Sequence, residues 1–199
     1  MKGFKMSSSR LVYVHGTNGS GKSTLARAVI AAAGGVTGVS CIVGAPKATW
    51  THTGATGVVL VGKYGNACGG VDGLAPYASI KDIVANNASF GRSIMAEGLI
   101  TPGVETCQHL ADAVDDALFI FLDVPVERCI TNVLSRRARK GTTKDYDPAN
   151  LLKKRQSAES WEKRLSAAGL KTQILNWSEA YFVCLEFLGL PVPDVDQLL

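Results

Sequence analysis

The segment Gly16-Thr17-Asn18-Gly19-Ser20-Gly21-Lys22-Ser23 follows directly on the short apolar run Leu11–His15 and opens into helix formers from Ser23 to Ala33. This order of strand, glycine loop and helix restricts the fold more than any other stretch of the chain. It matches the phosphate-binding signature G-x-x-x-x-G-K-[ST] in full. Gly16, Gly19 and Gly21 let the backbone wrap tightly, so that successive N–H groups face one anion. The helix that begins near Lys22 adds the positive end of its dipole. In such a loop the lysine reaches the β- and γ-phosphates and the Ser23 hydroxyl binds Mg²⁺. The expected nucleotide-binding set is Gly16, Thr17, Asn18, Gly19, Ser20, Gly21, Lys22, Ser23 and Thr24, joined by Arg136, with ATP and Mg²⁺ as ligands.

The rest of the chain alternates in type. Residues 39–43, 57–61, 93–96, 118–123 and 171–176 predict strands, and residues 79–88, 106–113, 126–139, about 150–168 and 179–188 predict helices. Residues 46–57, rich in Thr and Gly without a clear period, predict a loop. Strands alternating with helices mean parallel βαβ units with both sheet faces covered. The fold class expected is α/β, and ligands in such sheets bind at the carboxyl ends of the strands. The glycine loop, Glu97 and Asp123 all fall at or near such ends. The 199 residues suit one domain over 10–199, preceded by a nine-residue flexible tail. Five cysteines without C-x-x-C spacing give no disulfide framework and no zinc site, so a reducing cytoplasm is expected. No signal-peptide core and no membrane-spanning run is legible. The formal net charge is only +4, but it is unevenly spread. Arg128 to Lys171 is rich in Lys and Arg, which suits an anionic partner.

Several residues carry candidate chemistry. Arg136-Arg137-Ala138-Arg139-Lys140-Gly141 precedes a polar loop, and the stretch of about 136–148 is expected to act as a lid. Phosphoryl transfer needs positive charge on the transferring group, a role for Lys22, Arg136 and Arg137. With no second hydrolysis module and no N-K-x-D guanine signature, a kinase is favoured over other nucleotide-binding classes. Glu97 ends an apolar strand, where its carboxylate can hold Mg²⁺ with Ser23 or act as a base. Asp72, within Cys68-Gly69-Gly70-Val71-Asp72-Gly73, is the other candidate base; the choice between the two stays open. Lys63, Tyr64, Cys68, Gly69, Gly70 and Arg92, with Asp72, form the expected acceptor side, and the Cys68 thiol is read as inert. Asp123 is read as a cap for the helix after Pro125. His15 is read as structural. Trp161 and Arg164 share a helix face, with packing the favoured role for Trp161.

Two resemblances rest on these residues. Gly16–Ser23, Phe121-Leu122-Asp123-Val124-Pro125 with its helix, and Arg136–Gly141 resemble thymidylate kinases in order and spacing. That resemblance implies a five-stranded parallel core, ATP with Mg²⁺ and an arginine-bearing lid. Ala96-Glu97-Gly98 stands where such kinases carry an Asp-Arg-Tyr-type segment for a nucleoside monophosphate, a departure that turns attention from free nucleotides. Val61–Asp72, His15–Ser23 and Met95-Ala96-Glu97-Gly98 resemble phage 5-hydroxymethyluracil DNA kinases. This implies phosphorylation of the hydroxymethyl group of a modified thymine already in DNA, a step toward hypermodified bases, with Asp72 or Glu97 activating the hydroxyl. The basic half then becomes a surface for DNA phosphates. The alternatives are a small-molecule nucleoside or nucleotide kinase and a non-kinase P-loop ATPase or switch.

Overall fold

The computed structural model describes residues 8–55, 57–64, 70–74, 78–98, 102–142 and 146–193. Its strands are β1 (Arg10–His15), β2 (Val36–Ile42), β3 (Ala45–Thr53), β4 (Val58–Val61), β5 (Ser93–Gly98), β6 (Asp116–Leu122) and β7 (Thr172–Leu175). Its helices are α1 (Lys22–Ala32), α2 (Ala78–Ala88), α3 (Val104–Asp112), α4 (Val126–Arg139), α5 (Ala149–Ala167) and α6 (Trp177–Leu188). The strands form one sheet in the order β2-β3-β4-β5-β1-β6-β7. The expectation of five parallel strands is corrected to a mixed sheet with seven strands among the described residues. Strands β4, β5, β1, β6 and β7 run parallel to one another, whereas β3 is antiparallel to both β2 and β4.

The hairpin β2–β3 accounts for the difference, and it overturns the loop expected over residues 46–57. A two-residue turn at Val43-Gly44 joins its strands, with Gly44 at φ 80°. The Thr residues of β3 do not mark a loop, because β-branched side chains suit a pleated surface. Two of their hydroxyls are also satisfied internally. The fully buried Thr51 donates to the Gly62 carbonyl at 2.8 Å and Thr53 to the Val58 carbonyl at 3.0 Å. Pro46 falls between the pairs Cys41–Thr49 and Ile42–Ala45, in a register shift where no ladder bond is lost.

The central strands are buried on both faces, so their apolar runs are continuous. Val12, Val14, Met95 and Ile120 pack against α1 and α6. Leu11, Tyr13, Ile94 and Phe119 join the cluster on the α2, α3 and α5 side. Trp161 of α5 is 1% exposed, lies 6.1 Å from the Tyr13 ring and donates its indole N–H to the Pro102 carbonyl at 2.8 Å, in keeping with a packing role. Ser9 is also held, its N–H and hydroxyl both donating to Asp115. Among the described residues no helix is long and apolar enough to cross a membrane. The topology places the ends of β1, β5 and β6 side by side, and the turns that follow them meet there.

Candidate active site

The loop between β1 and α1 is wound around its glycines, with Gly19 at φ 82° and Gly21 at φ 91°. It is also packed from outside. A Cβ on Gly19 would overlap the Cys129 carbonyl in the first turn of α4. Asn132 of α4 donates to the Gly19 carbonyl at 2.9 Å, and the Trp177 indole of α6 donates to the Gly21 carbonyl at 3.3 Å. Lys22 is buried, and its ammonium donates to the Gly16 carbonyl at 2.8 Å and the Thr17 carbonyl at 2.9 Å. Burial pulls the pKa of Lys22 down, while Glu97 and Asp72 act in the opposite sense. The buried Ser20 hydroxyl has no hydrogen-bond partner among the described residues. A buried polar atom without a partner costs free energy, so this donor is one a bound anion would satisfy.

Glu97 stands opposite Val14 on β5, next to the root of the loop, and is 2% exposed. Its Oε1 accepts from the Ser23 hydroxyl at 3.0 Å and from the Tyr64 hydroxyl at 3.4 Å. Burial raises its carboxyl pKa, and Lys22 is the chief opposing influence. Tyr64 is buried, and burial together with Glu97 drives its hydroxyl well above the ordinary tyrosine range. The backbone behind Tyr64 is tightly folded. A Cβ on Gly62 would stand 2.6 Å from the Gly70 nitrogen, and one on Gly70 would stand 2.5 Å from Glu97 Oε1. Asp72, in the short turn Val71–Gly73, is exposed, and a Cβ on Gly98 would stand 3.1 Å from its Oδ1. Gly70 has φ 84° as well as no room for a side chain. Gly70→Ala is therefore expected to cost about 2 kcal/mol or more in urea unfolding, from backbone strain and overlap with Glu97. A loss below about 0.5 kcal/mol would contradict this packing.

The structure thus brings Lys22, Ser23, Tyr64, Gly70, Asp72 and Glu97 together from four separate segments. Arg136 joins them electrostatically. It lies one helical turn beyond Asn132, and its charge opposes protonation of Lys22. The Arg137 guanidinium lies 5.9 Å from the Tyr146 ring centroid. Lys63 is exposed beside Tyr64. Cys68 and Gly69 lie outside the described residues.

Arg92 requires a correction. It precedes β5, so it sits at the amino end of a strand whose carboxyl end carries Glu97. It donates to Asn87 at 2.9 Å, stacks 5.0 Å over the Phe90 ring, and lines a cavity of about 320 Å³ with Thr37 and His52. A second correction concerns Asp123. The N-cap of α4 is Pro125, without a side-chain cap, and Asp123 pairs instead with Arg155 of α5 at 2.6 Å. Arg155 also donates to the Val124 carbonyl at 2.7 Å and to Glu159 at 2.9 Å. Neither the Arg155–Asp123 pair nor the Asn132–Gly19 bond carries a local sequence signal, since each joins segments far apart in the chain.

His15 is structural, as expected. Its Nδ1–H donates to the Gly98 carbonyl at 3.0 Å, and its ring lies 4.6 Å from Trp161. Burial, reinforced by Lys22, pulls its pKa from 6.5 to about 4. A folded pKa below the unfolded one means stability that is present above pH 6.5 and lost as pH falls toward 4. A shift of this size corresponds to about 3 kcal/mol. Urea unfolding of the wild type between pH 7 and 4 is expected to show a loss larger by about that amount than in His15→Gln. Equal losses would refute it.

A family model described as 5-hmdU DNA kinase matches residues 2–167. The chain belongs to the 5-hmdU DNA kinase family. It is a phosphotransferase by that membership. A "5-hmdU DNA kinase" of Pseudomonas phage PaMx11 is 29% identical over 182 residues, covering 83% of this chain and 89% of that protein. A second "5-hmdU DNA kinase", of Delftia phage PhiW-14, is 29% identical over 174 residues, covering 77% of this chain and 62% of that protein. The family match takes in β1 to the end of α5, and so every residue of the cluster around Glu97.

Proposed function

We propose that this 5-hmdU DNA kinase family member transfers the γ-phosphoryl of ATP to the 5-hydroxymethyl group of 5-hydroxymethyluracil in DNA, a step in phage thymine hypermodification carried out in the host cytoplasm. The observation that carries the proposal is the meeting of Lys22, Ser23 and Glu97 at the root of the glycine loop, with Asp72 exposed beside them. The match with the phosphate-binding signature, the positive-φ glycines and the orphaned Ser20 hydroxyl support a P-loop that cradles the nucleotide phosphates. Ser23 and Glu97, hydrogen-bonded to one another, are the oxygen pair fitted to hold Mg²⁺, directly or through water. When bound, Mg²⁺ neutralises charge on the β- and γ-phosphates.

The residues divide the work by environment. Glu97 is buried and shared by Ser23 and Tyr64, which fits a metal-side carboxylate. Asp72 is exposed at the cleft, which fits it to accept the proton of the incoming hydroxyl. As that proton passes to Asp72, the hydroxymethyl oxygen bonds to the γ-phosphorus and the bond to the β-bridging oxygen breaks, releasing ADP. Lys22, freed from the Gly16 and Thr17 carbonyls, and Arg136 stabilise the charge on the transferring group.

The test uses γ-labelled ATP, Mg²⁺ and four acceptors: DNA with 5-hydroxymethyluracil, the same DNA with thymine, free 5-hydroxymethyl-2′-deoxyuridine, and its monophosphate. Label on the hydroxymethylated DNA alone is the expected result. Label only on the free nucleoside or nucleotide would replace it with a small-molecule kinase. Phosphate release with no labelled acceptor would replace it with an ATPase.

A further inference from the structure

We propose that the β2–β3 hairpin is a DNA-holding arm beside the active site, with Lys47 on a backbone phosphate and the Val43 tip against the groove of the duplex; this rests on the DNA reading above. The hairpin lies outside the parallel set of strands, yet it reaches the same edge of the sheet as Glu97. Strand β3 pairs Trp50 with Val61 at the carboxyl end of β4, and the Gly62 N–H donates to the Thr49 carbonyl at 2.8 Å. The β4–β5 pair Leu60–Met95 stands two residues before both Gly62 and Glu97. Thr49, Gly62 and Glu97 are therefore at one level of the sheet. Cys41 faces Thr49, and the chain runs on through Ile42 and Val43 to Gly44 before it turns back. Such an advance is about 10 Å, so the tip stands roughly that far beyond the level of Glu97. Two strand spacings, also about 10 Å, separate β3 from β5. The glycine loop leaves β1 on the other side of β5, so the hairpin and the nucleotide loop flank Glu97.

The arm is anchored at its base and bare at its end. Ala48 and Trp50 are buried in the cluster on the α2 side. The Tyr64 N–H donates to the Thr51 hydroxyl at 3.3 Å, which ties the arm to the residue whose own hydroxyl reaches Glu97. Beyond that base the surface changes. Pro46 and Lys47 are exposed within the register shift of β3, and Val43 is 99% exposed. Edge strands are usually blunted by charge or cover, but β2 leaves Val39 and Val43 bare. No Asp or Glu occurs in the chain before Asp72. The hairpin and the turn after β4 thus present the exposed Lys47 and Lys63 with no carboxylate of their own. Among the described residues no ion pair engages either lysine. Uncompensated ammonium groups on a fixed arm suit phosphate oxygens. A two-stranded β-ribbon also fits the major groove, the groove into which a pyrimidine 5-substituent projects. The arm therefore meets the duplex on the side that carries the target hydroxymethyl group.

Two phosphate sources are possible, the DNA backbone and the nucleotide, and the experiment separates them. Lys47→Ala, Lys47→Arg and Val43→Glu each change an exposed side chain of the arm. Val36→Glu, the same charge change at the other end of β2, is the comparison. A short duplex carrying one 5-hydroxymethyluracil serves for turnover and, fluorescently labelled, for binding by anisotropy over a salt series. Lys47→Ala is expected to weaken DNA binding and raise KM for DNA about tenfold. It should lower the slope of log K against log salt by about 0.9, and Lys47→Arg should keep the wild-type slope. Val43→Glu is expected to weaken binding about tenfold at low salt and less at high salt. Val36→Glu stays near wild type, and KM for ATP and kcat stay near wild type in all four. A change in KM for ATP, an equal effect of Val36→Glu, or an unchanged DNA affinity in Lys47→Ala or Val43→Glu would overturn the proposal. If DNA binding responds as expected but the wild type leaves the duplex unlabelled, the kinase reading falls while the arm stands. If the duplex is labelled and the arm variants bind it like wild type, the arm falls while the kinase reading stands.

Discussion

Lys22→Met lowers turnover on hydroxymethylated DNA by about 10²- to 10³-fold, the size expected when one preorganised donor is taken from a transferring group. Saturating ATP does not restore the rate. An ammonium as covered as Lys22, with its pKa pulled down, is an expensive group to hold. Two loop carbonyls and the nearby carboxylates compensate for it. Methionine keeps the length and removes the charge, so relief of desolvation offsets the two lost hydrogen bonds. Urea unfolding is expected to change by no more than about 1 kcal/mol. A variant that keeps more than a tenth of wild-type turnover would remove Lys22 from the chemistry. One that fails to fold would show that the lysine serves the loop first.

The second large effect separates the two carboxylates. Asp72→Asn is expected to lower kcat about 10²- to 10⁴-fold, the range for loss of a general base, with nucleotide binding intact at any Mg²⁺ concentration. Glu97→Gln is expected to raise the Mg²⁺ concentration needed for half-maximal rate about 10- to 100-fold and to recover part of the rate at high Mg²⁺. The opposite pattern would exchange the roles. Glu97 also sets a pH signature. Because burial raises its pKa, the acid limb of the wild-type kcat/KM profile at limiting Mg²⁺ should lie above the usual carboxylate range and move to lower pH in Glu97→Gln. The sign for stability runs the other way. A group whose folded pKa exceeds its unfolded one contributes stability at low pH, and that contribution is lost as pH rises through the folded pKa. The ionised Glu97 needed for activity is thus the less stable form. Tyr64→Phe removes a bond that lowers this pKa, so it should move the acid limb upward.

The parts of the fold readable in advance were those set by local rules. The glycine loop, the long apolar strands and the helix from Val126 to Arg139 each carry their own signal within a few residues. The β2–β3 hairpin did not, because β3 hides its pattern by burying threonines whose hydroxyls find partners only in the folded sheet. The same limit applies at the site. Glu97 was legible as a carboxylate ending an apolar strand. Its bonds to Ser23 and Tyr64 join residues 74 and 33 positions away, and no spacing rule reports them. Arg92 misled because one strand offers two ends to the reader and only the carboxyl end meets the loop. Asp123 misled because a short acid before a helix reads as a cap until a distant arginine, Arg155, claims it.

The boundary of family likeness is not a boundary of folding. The match ends at residue 167, before β7 and α6. Yet α6 supplies Ala180, Cys184, Leu185 and Leu188 to the cluster beneath β1, and Trp177 closes over Gly21 in the glycine loop. A protein cut at the edge of the shared region would keep every residue that relatives would predict to react, and lose one wall of the loop that presents them. The shared segment is a unit of chemistry, whereas the unit that folds extends past it.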